Sequence, residues 1–369
     1  MDRDDLDRVR EHPYPLNRIY FYLIEGCNLR CQHCWIPPGH QAEDRSSAFL
    51  EPDLFRSILH QAKPLGLAGV KLTGGEPLLH PRIREILKQV RDEGLDLGIE
   101  TNGTLCTPEL AGTIAEGRTP FVSVSLDGAD ARTHEWVRGV PGCFEAALEG
   151  IRNLVRVGIR PQVILTVMRR NRDQLERVVR LAESLGAGSV KFNILQPTAR
   201  GERLHEVGEA LDMEELITLG QWVEGDLSAG TDLPLHHGHP PAFRPLGKIL
   251  PENGDGCAVC GILGILGVLA DGSYALCGIG QSIPELVFGH AAKDPLEVVW
   301  NRSSVLGEIR RGLPRRFEGI CSRCVMMSRC LGMCLAQNYY SSRRFWAPYW
   351  YCERANNLGL FPRTRIRPG

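Results

Sequence analysis

Thirteen cysteines are spread unevenly along the 369 residues, and their spacing constrains the fold more than any other feature. Three fall within eight residues, as Cys27-x3-Cys31-x2-Cys34. Eight more lie from Cys257 onward: Cys257, Cys260, Cys277, Cys321, Cys324, Cys330, Cys334 and Cys352. The N-terminus, Met1-Asp2-Arg3-Asp4-Asp5, is charged and lacks an apolar signal region, which reads as cytoplasmic. Thiols in a reducing compartment are poor disulfide formers, so metal ligation is the better default. An iron–sulfur cluster of the 4Fe–4S kind takes four thiolates, so a trio leaves one iron open to another ligand. The alternative is zinc, which pairs cysteines as CxxC with a distant second pair. Cys106 and Cys143 supply no such pair and read as ordinary thiols.

Between Asn17 and Gln196 the sequence alternates strand-like and helix-like segments. Strands are expected at Ile19–Ile24, Gly69–Leu72, Leu95–Thr101, Phe121–Leu126, Pro161–Val167 and Ser189–Leu195. Helical spacing of apolar residues marks 52–62, 83–90, 144–155 and 175–185, with Gly94 and Gly186 as stops. Six strands alternating with helices predict an α/β fold with a parallel sheet, here a partial (β/α)6 TIM-like barrel over 17–196. Such folds collect their chemistry at the C-terminal ends of strands. The cysteine trio, Thr73-Gly74-Gly75-Glu76-Pro77, Asn102-Gly103 and Asp127-Gly128 all fall there.

Residues 197–250 read as a connector with one helix, Met213–Val223, and incidental histidines at His236, His237 and His239. The jump in cysteine content marks a second domain over 251–355, and 356–369 reads as a solvated basic tail. The net charge of -1 implies no nucleic-acid surface, and no apolar run is long enough to span a membrane.

Cys27-x3-Cys31-x2-Cys34 after the first strand resembles the signature of the radical S-adenosylmethionine (SAM) superfamily. Gly74-Gly75-Glu76-Pro77, forty residues on, resembles that family's GGEP element. The resemblance implies that the open iron chelates SAM and that an electron donor, flavodoxin or ferredoxin, drives its cleavage. Glu76 would face the SAM ammonium, and Gly74 and Gly75 would let the backbone approach it. Asn102 matches the ribose-side turn. Ser125-Leu126-Asp127-Gly128 and Trp136-Val137-Arg138-Gly139 resemble the family's SLDG and RG pair, which makes Ser125 and Arg138 cofactor contacts. His33 fills the aromatic slot near adenine, and Leu195 is a backbone contact at the sixth strand's end.

The C-terminal cysteines resemble the SPASM pattern: Cys260, then Gly272-x4-Cys277, then Cys321-x2-Cys324-x5-Cys330-x3-Cys334, then Cys352. The resemblance implies two closed auxiliary clusters, one on Cys257, Cys260, Cys277 and Cys334, the other on Cys321, Cys324, Cys330 and Cys352, making three in all. Structural zinc is the alternative. Sulfatase-maturing members carry an aspartate where this chain has Gly278, which argues against that role and leaves the general base unassigned. SPASM proteins mostly modify peptides, and some act on tetrapyrroles. Leu16–Trp35 and Lys63–Pro81 resemble maturases of a SynChlorMet-type cassette (ScmF-like), implying a precursor peptide substrate. Only 26 residues precede Cys27, too few for a leader-binding module, so a peptide would need a separate recognition protein or direct capture in the barrel.

Overall fold

The computed structural model describes residues 14–35, 48–249 and 260–368. All six expected strands form: β1 (Arg18–Tyr22), β2 (Gly69–Thr73), β3 (Asp96–Thr101), β4 (Arg118–Ser125), β5 (Gln162–Val167) and β6 (Ser189–Ile194). Each pairs in parallel with the next. The helices between them bury the expected faces. In α1 (Pro52–Ala62) a proline opens the helix and Phe55, Ile58, Leu59 and Ala62 are buried. After it in chain order come α2 (Ile83–Asp92), α3 (Pro108–Ala115), α4 (Ala131–Arg138), α5 (Cys143–Arg156) and α6 (Leu175–Ser184).

The strands have two unlike faces. Ile19, Phe21, Val70, Leu72, Val163, Leu165, Val190 and Phe192 belong to the buried apolar core. The alternate positions are mostly polar: Glu100, Ser123, Ser125, Thr166, Lys191 and Asn193 line a cavity, with Ile164 among them. A two-residue period turns these side chains to the opposite face. A barrel lumen filled by polar groups is built to hold a ligand rather than to pack a core.

The sheet runs on beyond the expected six strands. The stretch read as a connector supplies β7 (Leu235–His237), parallel to β6, after the helices α7 (Arg200–Glu206) and α8 (Met213–Trp222). The cysteine-rich half supplies β8 (Ile265–Val268), parallel to β1, then the antiparallel β9 (Ser273–Ala275) and β10 (Val287–His290). The order is β10-β9-β8-β1-β2-β3-β4-β5-β6-β7. The two halves therefore share one sheet. The C-terminal tail is docked in part: Ile366 bridges to Cys324, and the Arg365 guanidinium donates to the Arg244 carbonyl at 3.1 Å, while Arg363, Thr364 and Arg367 are exposed. Among the described residues no helix is long and apolar enough to cross a membrane.

Candidate active site at the barrel mouth

The cysteine loop leaves β1 and is held from two sides. From below, the turn after β2 presses against it: Gly75 N–H donates to the Ile24 carbonyl at 2.7 Å and Glu76 N–H to the Gly26 carbonyl at 2.9 Å. A Cβ on Gly75 would lie 2.0 Å from the Gly26 oxygen, and Gly74, at φ +135, would meet the Ile24 oxygen at 2.7 Å. The two glycines are required by the packing of one loop on another. From the side, Arg30 and Gln32 N–H donate to the carbonyls of Arg138 and Val137 at the end of α4.

Cys27, Cys31 and Cys34 converge in one small cluster with Leu29 and Cys143. Burial, reinforced by Glu76, Cys31 and Cys34, pushes the Cys27 thiol up to about 12. Thiols so placed give up their protons only to a cationic centre, so the donor set fits iron.

Glu76 is buried beneath the loop. One carboxylate oxygen accepts from Thr101 Oγ1 at 2.6 Å and Leu78 N–H at 3.1 Å, the other from Asn102 N–H at 2.8 Å. Burial raises its pKa and these hydrogen bonds pull it back, the balance remaining upward. Asn102 is fixed in turn, its Nδ2 donating to Asn28 Oδ1 at 2.8 Å. Across the mouth, Arg138 is ion-paired to Asp127 at 2.6 Å and donates to Cys31 Sγ at 3.5 Å. Burial alone would raise the Asp127 pKa, but Arg138 and His33 outweigh it and hold the carboxyl low. His33 and His134 are held neutral by burial, with pKa values near 4.

One cavity brings together Cys27, Cys31, Cys34, His33, Gly74, Gly75, Glu76, Asn102, Ser125 and Arg138. A second adjoins it through His33, Trp35, Thr166 and Asn193, and reaches Cys277, Cys334 and Gln337. The C-terminal thiols fall into two groups. Cys260, Cys277 and Cys334 repel one another's charged forms, as do Cys321, Cys324, Cys330 and Cys352. Burial is the larger cause in each, pushing Cys260, Cys277 and Cys330 up to about 12. Cys257 lies outside the described residues.

A sequence profile of the radical SAM superfamily matches residues 21–182. The AdoMet-dependent heme synthase of Methanosarcina barkeri is 30% identical over 359 residues, spanning 90% of this chain and 95% of that protein. The chain belongs to the radical SAM superfamily. The mycofactocin maturase MftC of Mycolicibacterium smegmatis is 26% identical, spanning 94% of this chain and 85% of that one. Streptococcus suis SuiB bound to its precursor peptide SuiA shares the fold, with a TM-score of 0.72 at 18% identity, across 95% of this chain and 79% of that one.

In this radical SAM enzyme Leu195 stands apart from the other expected cofactor contacts. It lines the second cavity, and its carbonyl already accepts from His205 Nε2 at 3.1 Å. Gly278 has a steric reason to be glycine: a Cβ there would sit 2.3 Å from both the Trp35 and Tyr22 rings. Sequence reasoning passed over Thr101, which ties Glu76 down, and Asp127, which neutralises Arg138. Asp127 was visible inside the Ser125–Gly128 element; only the pairing with Arg138 was not. Lys191 carries no local signal of its own, because it belongs to no motif and its strand is marked by apolar residues.

Proposed function

We propose that this radical SAM enzyme cleaves SAM reductively and abstracts hydrogen from a ribosomally made peptide, as a step in its maturation. The observation that carries the reading is the pair of adjoining cavities. One gathers the thiol trio with Glu76, Asn102, Ser125 and Arg138; the other runs to Cys277 and Cys334. Cys27, Cys31 and Cys34 would hold the first 4Fe–4S cluster. Cys257, Cys260, Cys277 and Cys334 would hold the second, and Cys321, Cys324, Cys330 and Cys352 the third. SAM bound at the open iron supplies, on one-electron reduction, the 5′-deoxyadenosyl radical that takes the hydrogen atom.

The chain's own residues orient that chemistry. Glu76 offers its carboxylate to the SAM ammonium while Thr101 and Asn102 fix it in place. Arg138, neutralised by Asp127, donates toward the Cys31 sulfur. Ser125 presents a hydroxyl to the same cavity, and neutral His33 presents its ring to both. The MftC relative and the precursor-peptide complex of the SuiB fold support a peptide. A cassette peptide with a partner radical enzyme is what the SynChlorMet-type resemblance implies. The electron donor would be flavodoxin or ferredoxin.

A second reading, a tetrapyrrole substrate, is favoured by the heme synthase relative, which aligns over nearly its whole length. The test is anaerobic turnover of the iron-reconstituted, reduced protein with SAM. The expected result is 5′-deoxyadenosine, with a mass change in a peptide encoded beside the gene. Porphyrin consumption without peptide change selects the second reading. No 5′-deoxyadenosine under any condition rejects both.

A further inference from the structure

A third chamber opens beside the second cavity and shares Asn193, Gln196, Gly238, Cys334 and Gln337 with it. Its basic side chains are Lys191, His236, His237, His239 and Arg244, and no Asp or Glu lines it among the described residues. The sheet register explains the cluster. Lys191 on β6 stands opposite His236 on β7 in the parallel ladder, so both project to the same face. Lys191 also lines the cavity of the thiol trio, which places its ammonium at the junction. No hydrogen bond or ion pair to that ammonium is formed by the described residues. His237 is buried, and neither of its ring nitrogens has a partner.

The nearby counter-charges are already engaged, Glu100 in the thiol-trio cavity that Lys191 also lines. Glu224 pairs with Arg244 Nε at 2.5 Å and His239 Nε2 at 3.0 Å, and its side chain is only 7% exposed. Glu100 is taken by Lys71 at 2.9 Å. The half-buried Lys191 ammonium faces a chamber whose lining supplies no anion, and burying a charge is favourable only when a partner arrives with it.

We propose that this chamber is the anchoring site for a carboxylate of the substrate, held by Lys191 and His236 with His237 beneath. The inference rests on the reading of the adjoining cavities as the site of hydrogen abstraction. It adds that the substrate is acidic and is gripped where the chamber meets the cavity of the thiol trio. The carboxylate could come from an acidic peptide residue or from a tetrapyrrole propionate; the chemistry at Lys191 is the same.

Binding, read by quenching of tryptophan fluorescence in the iron-loaded protein, tests this apart from turnover. Two probe pairs are used: coproporphyrin III against its tetramethyl ester, and a glutamate-containing pentapeptide against its glutamine counterpart. The acid form of one pair should bind at least tenfold more tightly than its neutral form. Lys191→Met and His236→Leu should each erase most of that preference, and Lys191→Arg should keep it, with iron content reporting an intact fold. The pair that shows the preference identifies the source of the carboxylate. Equal binding of acid and neutral forms in both pairs, or a preference unchanged in Lys191→Met, overturns the proposal. If 5′-deoxyadenosine never forms yet the preference is present, the chemistry proposed above fails and the anchoring site stands.

Discussion

At the scale of single residues, Gly278 and Glu76 carry the clearest consequences. An aspartate at 278 cannot be inserted as a base, because Tyr22 and Trp35 occupy the space a side chain needs. Gly278→Asp should therefore lower the iron bound per chain, by displacing the neighbouring Cys277, and should yield no gain in product. Iron analysis against wild type checks this; full iron content with higher turnover would contradict it. Glu76 receives three donors. Glu76→Gln turns an amide group toward at least one of them, and leaving a buried donor unsatisfied costs about 1–3 kcal/mol. The variant should unfold at lower urea and bind SAM at least tenfold more weakly, measured by equilibrium binding on the iron-loaded protein. Much of this site was legible in the sequence, because cysteine spacing and the Gly74–Pro77 turn are local patterns. What Gly74 and Gly75 pack against was not legible: their partners, Ile24 and Gly26, belong to a different loop.

At the scale of elements, the same distinction between local and distant decides what could be read. The six long strands announced themselves through β-branched residues in short apolar runs. Their polar lumen face was equally present in the sequence, as Lys71, Glu100, Ser123, Thr166 and Lys191 at alternate positions, but its meaning depended on the sheet curling. Strand β7 escaped because three residues between Pro234 and Gly238 offer no period to detect. It forms because β6 supplies a parallel edge, with Gly238 N–H donating to the Phe192 carbonyl at 2.8 Å. The histidines thereby cease to be incidental. α8 packs against them through Gly220, where a Cβ would lie 2.5 Å from His239 Nδ1. Gly220→Ala should force that ring off Glu224 and destabilise the fold by roughly 1–3 kcal/mol, the usual cost of overpacking, despite alanine's better helix propensity. A urea midpoint equal to or above wild type would refute this.

At the scale of the whole molecule, the two halves are bound by contacts that neither could make alone. β8 completes the edge of β1, Trp300 Nε1 donates to the Tyr14 carbonyl at 2.7 Å, and Trp350 Nε1 donates to Gln196 Oε1 at 2.9 Å. Acid should act on this assembly through its buried histidines before it reaches the carboxylates. Burial lowers the His237 pKa well below its ordinary value; His134 is held neutral, with its pKa lowered to about 4 chiefly by burial and then by Arg138. Between that value and the ordinary 6.5, the unfolded chain binds a proton that the folded chain refuses, so stability falls as pH falls through this window. For His134 the loss is on the order of 2 kcal/mol near pH 5, at 1.36 kcal/mol per unit. Asp127 behaves differently: its depressed pKa keeps its contribution intact above about pH 4 and surrenders it only below. The urea midpoint should therefore drop between pH 7.5 and pH 5. His134→Gln, which keeps an acceptor for the Asp127 N–H but has no ring to protonate, should drop less over the same interval. Comparing the two proteins cancels the acid lability of the iron sites, which both share. Parallel curves for wild type and variant would show that the ring is not held neutral, and that the barrel mouth gains its acid sensitivity elsewhere.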